Sequence, residues 1–304
     1  MFKNLIIYRI GGQVVTLNQL EAALQKAPFV ECGATQEKSA GWVPPRGEAH
    51  GALVESINGQ WIARLMIETK TVPGDALARK VKEKAERIEQ ETGRKPGKKE
   101  TRDLKEEARL DLLPMAFTKR ATTWVWIDPL ARALVIDTSS QARADEAARS
   151  LVEQLPAGFA LALLNTKTAP QAAMAHWLNE QEPPEGFTVD RECELKSQGE
   201  DKSVVRYANH PLDIQEVQDH IKAGLQPTRL ALTWDDRVSF TLTQQLQVKG
   251  IRFLDSVFES QQADEGGFDA DVAIATGELG KLIPDLVKAL DGELVAASVE
   301  GEDA

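Results

Sequence analysis

The chain has 304 residues, 42% of them hydrophobic, and a formal net charge of -11 at pH 7, enough apolar material for a sizeable core divided among two or three subdomains. It contains no run of eighteen apolar residues, which excludes a membrane-spanning helix. Its two cysteines, Cys32 and Cys193, lie far apart, which indicates no disulfide framework and fits a reducing cytoplasm. The charge is segregated. Residues 255–304 hold two Lys against thirteen Asp or Glu, so the first 254 residues are neutral, and residues 70–120 hold fifteen Lys or Arg against ten Asp or Glu. An acidic chain can therefore bind a polyanion if its cations share a surface.

The N-terminal LIIYRI reads as a strand rather than a secretion signal, because Tyr8 and Arg9 interrupt the apolar run and no cleavage site follows. TLNQLEAALQKA has helical spacing through Leu17, Leu20, Leu24 and Ala27. Asn58-Gly59 stands between two apolar runs and predicts a two-residue β-hairpin turn. Residues 74–113 then change in kind: two charged segments carry narrow apolar seams, Leu77, Val81, Ala85 and Ile88 in one, Leu104, Ala108 and Leu112 in the other. GRKPGKK between them stops one helix and starts the next, and Pro114 ends the second. The pair reads as a helical hairpin long enough to project, with i,i+4 charge pairs such as Glu83 with Arg87 as its plainest role.

From Thr122 the period becomes two, giving strands in TTWVWID and ALVIDT. A helix opened by Ser139 or Ser140 follows, then a strand in FALALLN and a helix with Pro170 in its first turn. FTVDRECELKS and SVVRYAN read as strands, DIQEVQDHIKAG as a helix ending on Gly224, and residues 228–260 as an antiparallel meander. The chain is expected to close with a strand, DADVAIAT, a helix, GELGKLIPDLVKAL, and a solvated acidic tail. The fold class is α+β, mainly antiparallel sheets with packed helices and the projecting hairpin. The divisions fall at residues 1–73, 74–121, 122–225 and 226–304.

Signatures of chemistry are scarce. TGELGKL has the wrong spacing for a phosphate loop, and leucine replaces its hydroxyl. Cys32, Cys193 and the four histidines offer no closely spaced zinc ligands, and no GxSxG occurs. WDD at 234–236 reads as a turn between strands. The residues make no positive case for an enzyme, a metal or a cofactor. What remains is the basic hairpin, in which Lys80, Lys82, Lys84, Arg94, Lys95, Lys98 and Lys99 are expected to be locally unbalanced, followed by Lys119 and Arg120 next to Phe117. Cations beside an aromatic suit phosphate and base contacts, and Phe117 suits equally an anchor in a hydrophobic pocket. Alternation along an extended segment points Lys119 and Arg120 to opposite sides. A protein-interaction scaffold docking through the helical arm is the alternative.

Several ordered landmarks carry a resemblance: FKNL…YR, GWVPP at 41–45, NGQ at 58–60, LLPMAF…WID at 112–128, LALTW at 230–234, RFLD and FDAD…TGEL. Over essentially its whole length the chain resembles the RdgC family of bacterial recombination-associated DNA-binding proteins. That resemblance implies a ring-shaped, nucleoid-associated homodimer whose positively charged hole encircles duplex DNA without reading sequence. It also implies binding to single strands and competition with the recombinase filament that restrains strand exchange. Phe117 and Met115 then fall at a subunit contact, and Arg206 among the DNA contacts. Two positions depart from a relative's pattern: Met115 replaces an arginine, and RYAN at 206–209 is less basic than RAKK. The cationic lining is thereby weaker, or shifted towards Lys119 and Arg120.

Overall fold

A computed structural model describes residues 1–199, 202–259 and 267–294. Strand β1 (Asn4–Gly12) leads to helix α1 (Leu17–Leu24), which opens on a capping box: the Gln19 N–H donates to the Thr16 hydroxyl, and the Thr16 N–H to the Gln19 side chain. Strand β2 (Lys38–Val43), for which the sequence pattern raises no expectation, carries Gly-Trp-Val; β3 (Val54–Ile57) and β4 (Gln60–Thr71) follow. Asn58 and Gly59 join β3 to β4 with φ values of 50° and 80°, the two positive angles a type I′ turn requires.

Helix α2 (Gly74–Thr92) ends on Gly93 in the left-handed conformation, and α3 (Lys98–Leu112) starts five residues later. Leu77, Leu104 and Ala108 are buried, and Lys84 reaches from α2 to Glu107 and Asp111 of α3 at 3.2 and 3.0 Å. Within α2 the pairs are Lys80–Glu83 and Lys82–Glu86, so Lys80, Lys82 and Lys84 are balanced, against the expectation, by carboxylates one helical turn along or across the hairpin. Glu83 is thus paired one residue closer than the expected Arg87, since both i±3 and i±4 partners lie within reach on a helix face. Pro114 sits in a 3-10 turn, Leu113–Met115, beyond the end of α3.

Strand β5 (Phe117–Asp128) begins well before the period-two signal at Thr122. Its ladder with β4 is continuous from Thr71 opposite Phe117 to Trp61 opposite Ile127, so main-chain pairing carries the strand through polar residues that alternation cannot flag. The remaining elements are β6 (Ala133–Ile136), α4 (Gln141–Gln154), β7 (Phe159–Leu163), α5 (Pro170–Glu180), β8 (Phe187–Ser197), β9 (Val204–Tyr207), α6 (Gln215–Lys222), β10 (Leu225–Trp234), β11 (Val238–Thr243), β12 (Val248–Phe253), α7 (Asp255–Glu259) and α8 (Phe268–Ala289). Ser140 occupies the N-cap of α4, but its side chain makes no capping bond; its N–H donates to the Thr138 hydroxyl.

One expected strand is absent. DADVAIAT belongs to α8, which runs unbroken through GELGKLIPDLVKA. Val272, Ala275, Leu279, Leu282, Ile283 and Leu286 are all buried, at three- and four-residue spacing. The short alternating stretch is the start of that helical stripe, an ambiguity inherent in brief apolar runs.

Among the described residues, twelve strands form one sheet in the order β2-β4-β5-β6-β1-β12-β11-β10-β8-β9, with β3 on β4 and β7 on β1. The pairings between named strands are antiparallel. Alternation divides the core between the two faces. Ile6, Tyr8, Leu65, Val125 and Ile136 pack with α1 and α4 on one side. Leu5, Ile7, Leu195, Leu230, Leu242 and Val248 pack with α5, α6 and α8 on the other.

Candidate nucleic-acid interface

Lys98 and Lys99 are the first two residues of α3 and are exposed. A helix N-terminus carries positive partial charge, so two lysines there are unfavourable unless an anion is close. The capping Glu100 supplies one, but its carboxylate is taken by Arg94 at 2.8 and 2.9 Å and by the Gly97 N–H. Lys95, Lys98, Lys99 and Arg102 have no carboxylate partner among the described residues.

The start of β5 separates Lys119 from Arg120. Arg120 lies opposite Glu68 of β4 and donates to its carboxylate at 2.6 Å; it also pairs with Glu31 and stacks on the Phe29 ring. The Arg120 guanidinium and the Cys32 N–H hold the Glu68 carboxyl below the usual range, against its burial. Arg120 thus has an internal role that its position beside Lys119 does not announce. Lys119, one residue earlier and on the opposite side, is exposed and has no ion-pair partner among the described residues. Phe117 is 91% exposed and Met115 74%, and Leu110, near the end of α3, is also exposed. The polypeptide therefore presents exposed apolar side chains and a free lysine within a few residues, and holds the arginine on the other side of the strand from Phe117 and Lys119.

Arg206 lies on β9 directly opposite Glu194 of β8 and donates to it at 2.8 Å. Lys196 reaches the same carboxylate at 2.9 Å, and the Thr228 hydroxyl donates to it at 2.7 Å. Burial works to raise the Glu194 pKa, but the hydrogen bonds from Arg206, Thr228 and Lys196 outweigh it and bring the carboxyl to about 2. A folded pKa below the unfolded one gives stability that is complete above the unfolded value and is lost as pH falls towards the folded one. Glu194→Gln is therefore expected to flatten the loss of thermal stability between about pH 5 and pH 2 relative to the parent chain. Parallel melting-temperature curves for the two would contradict this. Within ECELK only Lys196 marks Glu194 out; strand pairing brings Arg206, Arg229 and Thr228 to it from β9 and β10.

The acidic C-terminal segment is engaged rather than merely solvated. Asp269 pairs with Arg46, Glu278 with Arg237, Asp285 accepts from the Trp234 indole N–H, and Glu293 pairs with Arg9. The tail at 295–304 lies outside the described residues. Asp235 and Asp236 of the WDD stretch both have φ of 50° and join β10 to β11 as a tight turn. Among the described residues no group of three or more His, Cys, Asp or Glu is placed to hold a metal ion, and no helix is long and apolar enough to cross a membrane.

Comparison with known proteins gives these features a setting. A family model described as "Putative exonuclease, RdgC" matches residues 1–293. A protein of Dechloromonas aromatica (strain RCB) named "Recombination-associated protein RdgC" is 44% identical over 305 residues, covering 97% of this chain and 99% of the relative. Proteins with the same name from Herminiimonas arsenicoxydans and Bordetella pertussis (strain Tohama I) are 44% and 39% identical, each covering 96% of this chain and 98% of the relative. With a family model spanning nearly all of its residues and relatives aligned end to end, the chain belongs to the RdgC family, whose curated members are named as recombination-associated proteins.

Proposed function

We propose that this chain is a non-catalytic, sequence-independent DNA-binding protein of the nucleoid. In this reading it closes around duplex DNA as a ring-shaped homodimer, also holds single strands, and restrains homologous recombination by occupying DNA that the recombinase filament would use. The observation that carries the reading is the set of uncompensated cations at the α2–α3 connection and at Lys119 in a chain whose first 254 residues are neutral. Helices α2 and α3 form the projecting finger, Lys98, Lys99 and Lys119 meet phosphates, and Phe117 with Met115 meets the second subunit. Arg206 contributes while paired to Glu194, and Arg120, held by two carboxylates, sets the edge from which Lys119 projects.

Binding of this kind releases counterions, so affinity should fall steeply with salt, with a log–log slope of about -0.9 per phosphate neutralised. The test is a salt titration of a mixed-sequence duplex against the parent chain and Lys98→Ala/Lys99→Ala/Lys119→Ala. The triple variant is expected to bind every sequence more weakly by the same factor, with a slope shallower by up to about 2.7. No binding at about 50 mM salt, or affinity independent of salt, would overturn the reading. Divalent-dependent shortening of the duplex would overturn its non-catalytic part and support the activity in the family description. A partner protein retained after nuclease treatment, without DNA binding by the pure chain, would instead establish the scaffold alternative.

A further inference from the structure

Strand pairing collects on one sheet face several cations that are scattered in the sequence. Residues directly opposite each other in paired strands present their side chains on the same face. Such pairs lead from Arg206 on β9 to Glu194 on β8, from Glu194 to Arg229 on β10, and from Arg229 to Thr243 on β11. Two residues back along β11, Thr241 lies opposite Lys249 on β12. Lys196, two residues from Glu194, shares the side.

Arg252 joins this face through a bulge. Ser239 and Thr241, two residues apart on β11, lie opposite Arg252 and Lys249, three apart on β12. The extra residue on β12 fits Gly250, whose φ of 64° is the left-handed conformation of a bulge glycine. In a regular strand Lys249 and Arg252 would point to opposite faces. Leu195, Leu230, Leu242, Val248 and Ile251 fill the core on the other side, so the cations all face away from it. Asn4, opposite Lys249, alternates with Ile6 and Tyr8, which pack in the core beneath α1 and α4. Lys119 alternates with Ala121, Thr123 and Val125, and Val125 lies in that same core. Lys119 and the collected cations therefore share one face of the sheet.

Compensation on this face is incomplete. The Glu194 carboxylate is the acid that Lys196, Arg206 and, at 3.9 Å, Arg229 converge on. Lys249 and Arg252 have no carboxylate partner among the described residues. Burial and the neighbouring Arg229 both push the Lys249 ammonium below its usual range. Like charges held on one face a strand apart, as Arg229 on β10 and Lys249 on β12 are across β11, oppose one another until an anion settles between them. Neighbouring strands are about 4.8 Å apart, so Arg206 and Lys249, four strand spacings apart, are separated by roughly 19 Å. One isolated phosphate cannot span that distance, whereas a phosphodiester chain can.

We propose that Arg252, Lys249, Arg229, Lys196 and Arg206 form a phosphate-binding row for the backbone of a nucleic acid, with Glu194 as the residue that positions its Arg206 end. The row rests on the nucleic-acid reading above and adds a second binding surface to the α2–α3 finger. A labelled mixed-sequence duplex titrated with salt tests it on the full chain, with Arg229→Gln/Lys249→Gln/Arg252→Gln beside the parent. The slope is expected to become shallower by about 0.9 for each phosphate no longer neutralised, up to about 2.7 in all. The melting temperature is expected not to fall, because mutual repulsion is relieved. If the parent binds and the triple variant keeps its affinity and slope, the row is overturned while the broader reading stands. If the parent does not bind, the broader reading itself is overturned. Glu194→Gln separates positioning from simple charge: it removes a negative charge, which alone would tighten binding. A positioning role predicts weaker binding, recovered in part by Glu194→Asp, and tighter binding by Glu194→Gln would overturn that role.

Discussion

Replacing Phe117 with alanine is expected to weaken self-association by about 30-fold or more, the effect of losing an interface anchor worth about 2 kcal/mol. Phe117 is the first residue of β5 and its ring is 91% exposed, with Met115 and Leu110 exposed nearby. An aromatic ring held in water by a regular strand contributes little to the folded monomer, so the same change should move monomer stability by no more than about 0.5 kcal/mol. Sedimentation across a concentration series reads the first effect and thermal unfolding the second. Unchanged association with weaker DNA binding would reassign Phe117 to the nucleic-acid surface. A large loss of monomer stability would contradict both roles.

Arg237→Ala should cost about 2–3 kcal/mol of stability, below the ~3–5 kcal/mol of a fully buried pair because the arginine is partly exposed. Arg237, at the β10–β11 turn, donates to both oxygens of Glu278 on α8 at 2.6 and 2.7 Å. Glu278 is 5% exposed, so losing Arg237 strands a carboxylate in the core. The Arg237 bond also keeps the Glu278 carboxyl below its ordinary range, against its burial. Arg237→Ala/Glu278→Gln should recover part of the loss, because the remaining group is neutral. Chemical denaturation of the three chains measures this. A loss under about 1 kcal/mol for the single change would show that water reaches Glu278 readily.

The elements legible in sequence are those whose reasons are local. Thr16 with Gln19, Asn58 with Gly59, and Pro170 at the start of α5 each satisfy a nearby backbone requirement, and the hairpin turn and the start of α5 lie where the sequence places them. The start of α8 reads as a strand because six or eight apolar-alternating residues fit a strand and the first turns of a helix equally. The extra length of β5 is hidden because its partner is β4, fifty residues earlier, and its first residues are polar. The same distinction applies to the candidate interface. Lys98 and Lys99 draw notice because they stand in a basic run, whereas Lys249, Arg229 and Arg252 lie in unremarkable strands.

By itself the sequence determined an α+β chain with a basic helical segment, a Phe117 beside two cations after Pro114, and a whole-length likeness to one family. Those conclusions need only short-range preferences and ordered landmarks. Tertiary structure decided which cations are free and which are committed. Lys119 and Arg120 are adjacent, yet strand alternation sends Arg120 to Glu68 and Glu31 and leaves Lys119 in solvent. Lys249 and Arg252 come to share a face only because the ladder accommodates one extra residue near Gly250. Charge pairing depends on what lies opposite across a sheet, and that partner is chosen by long-range pairing, not by neighbours in the chain.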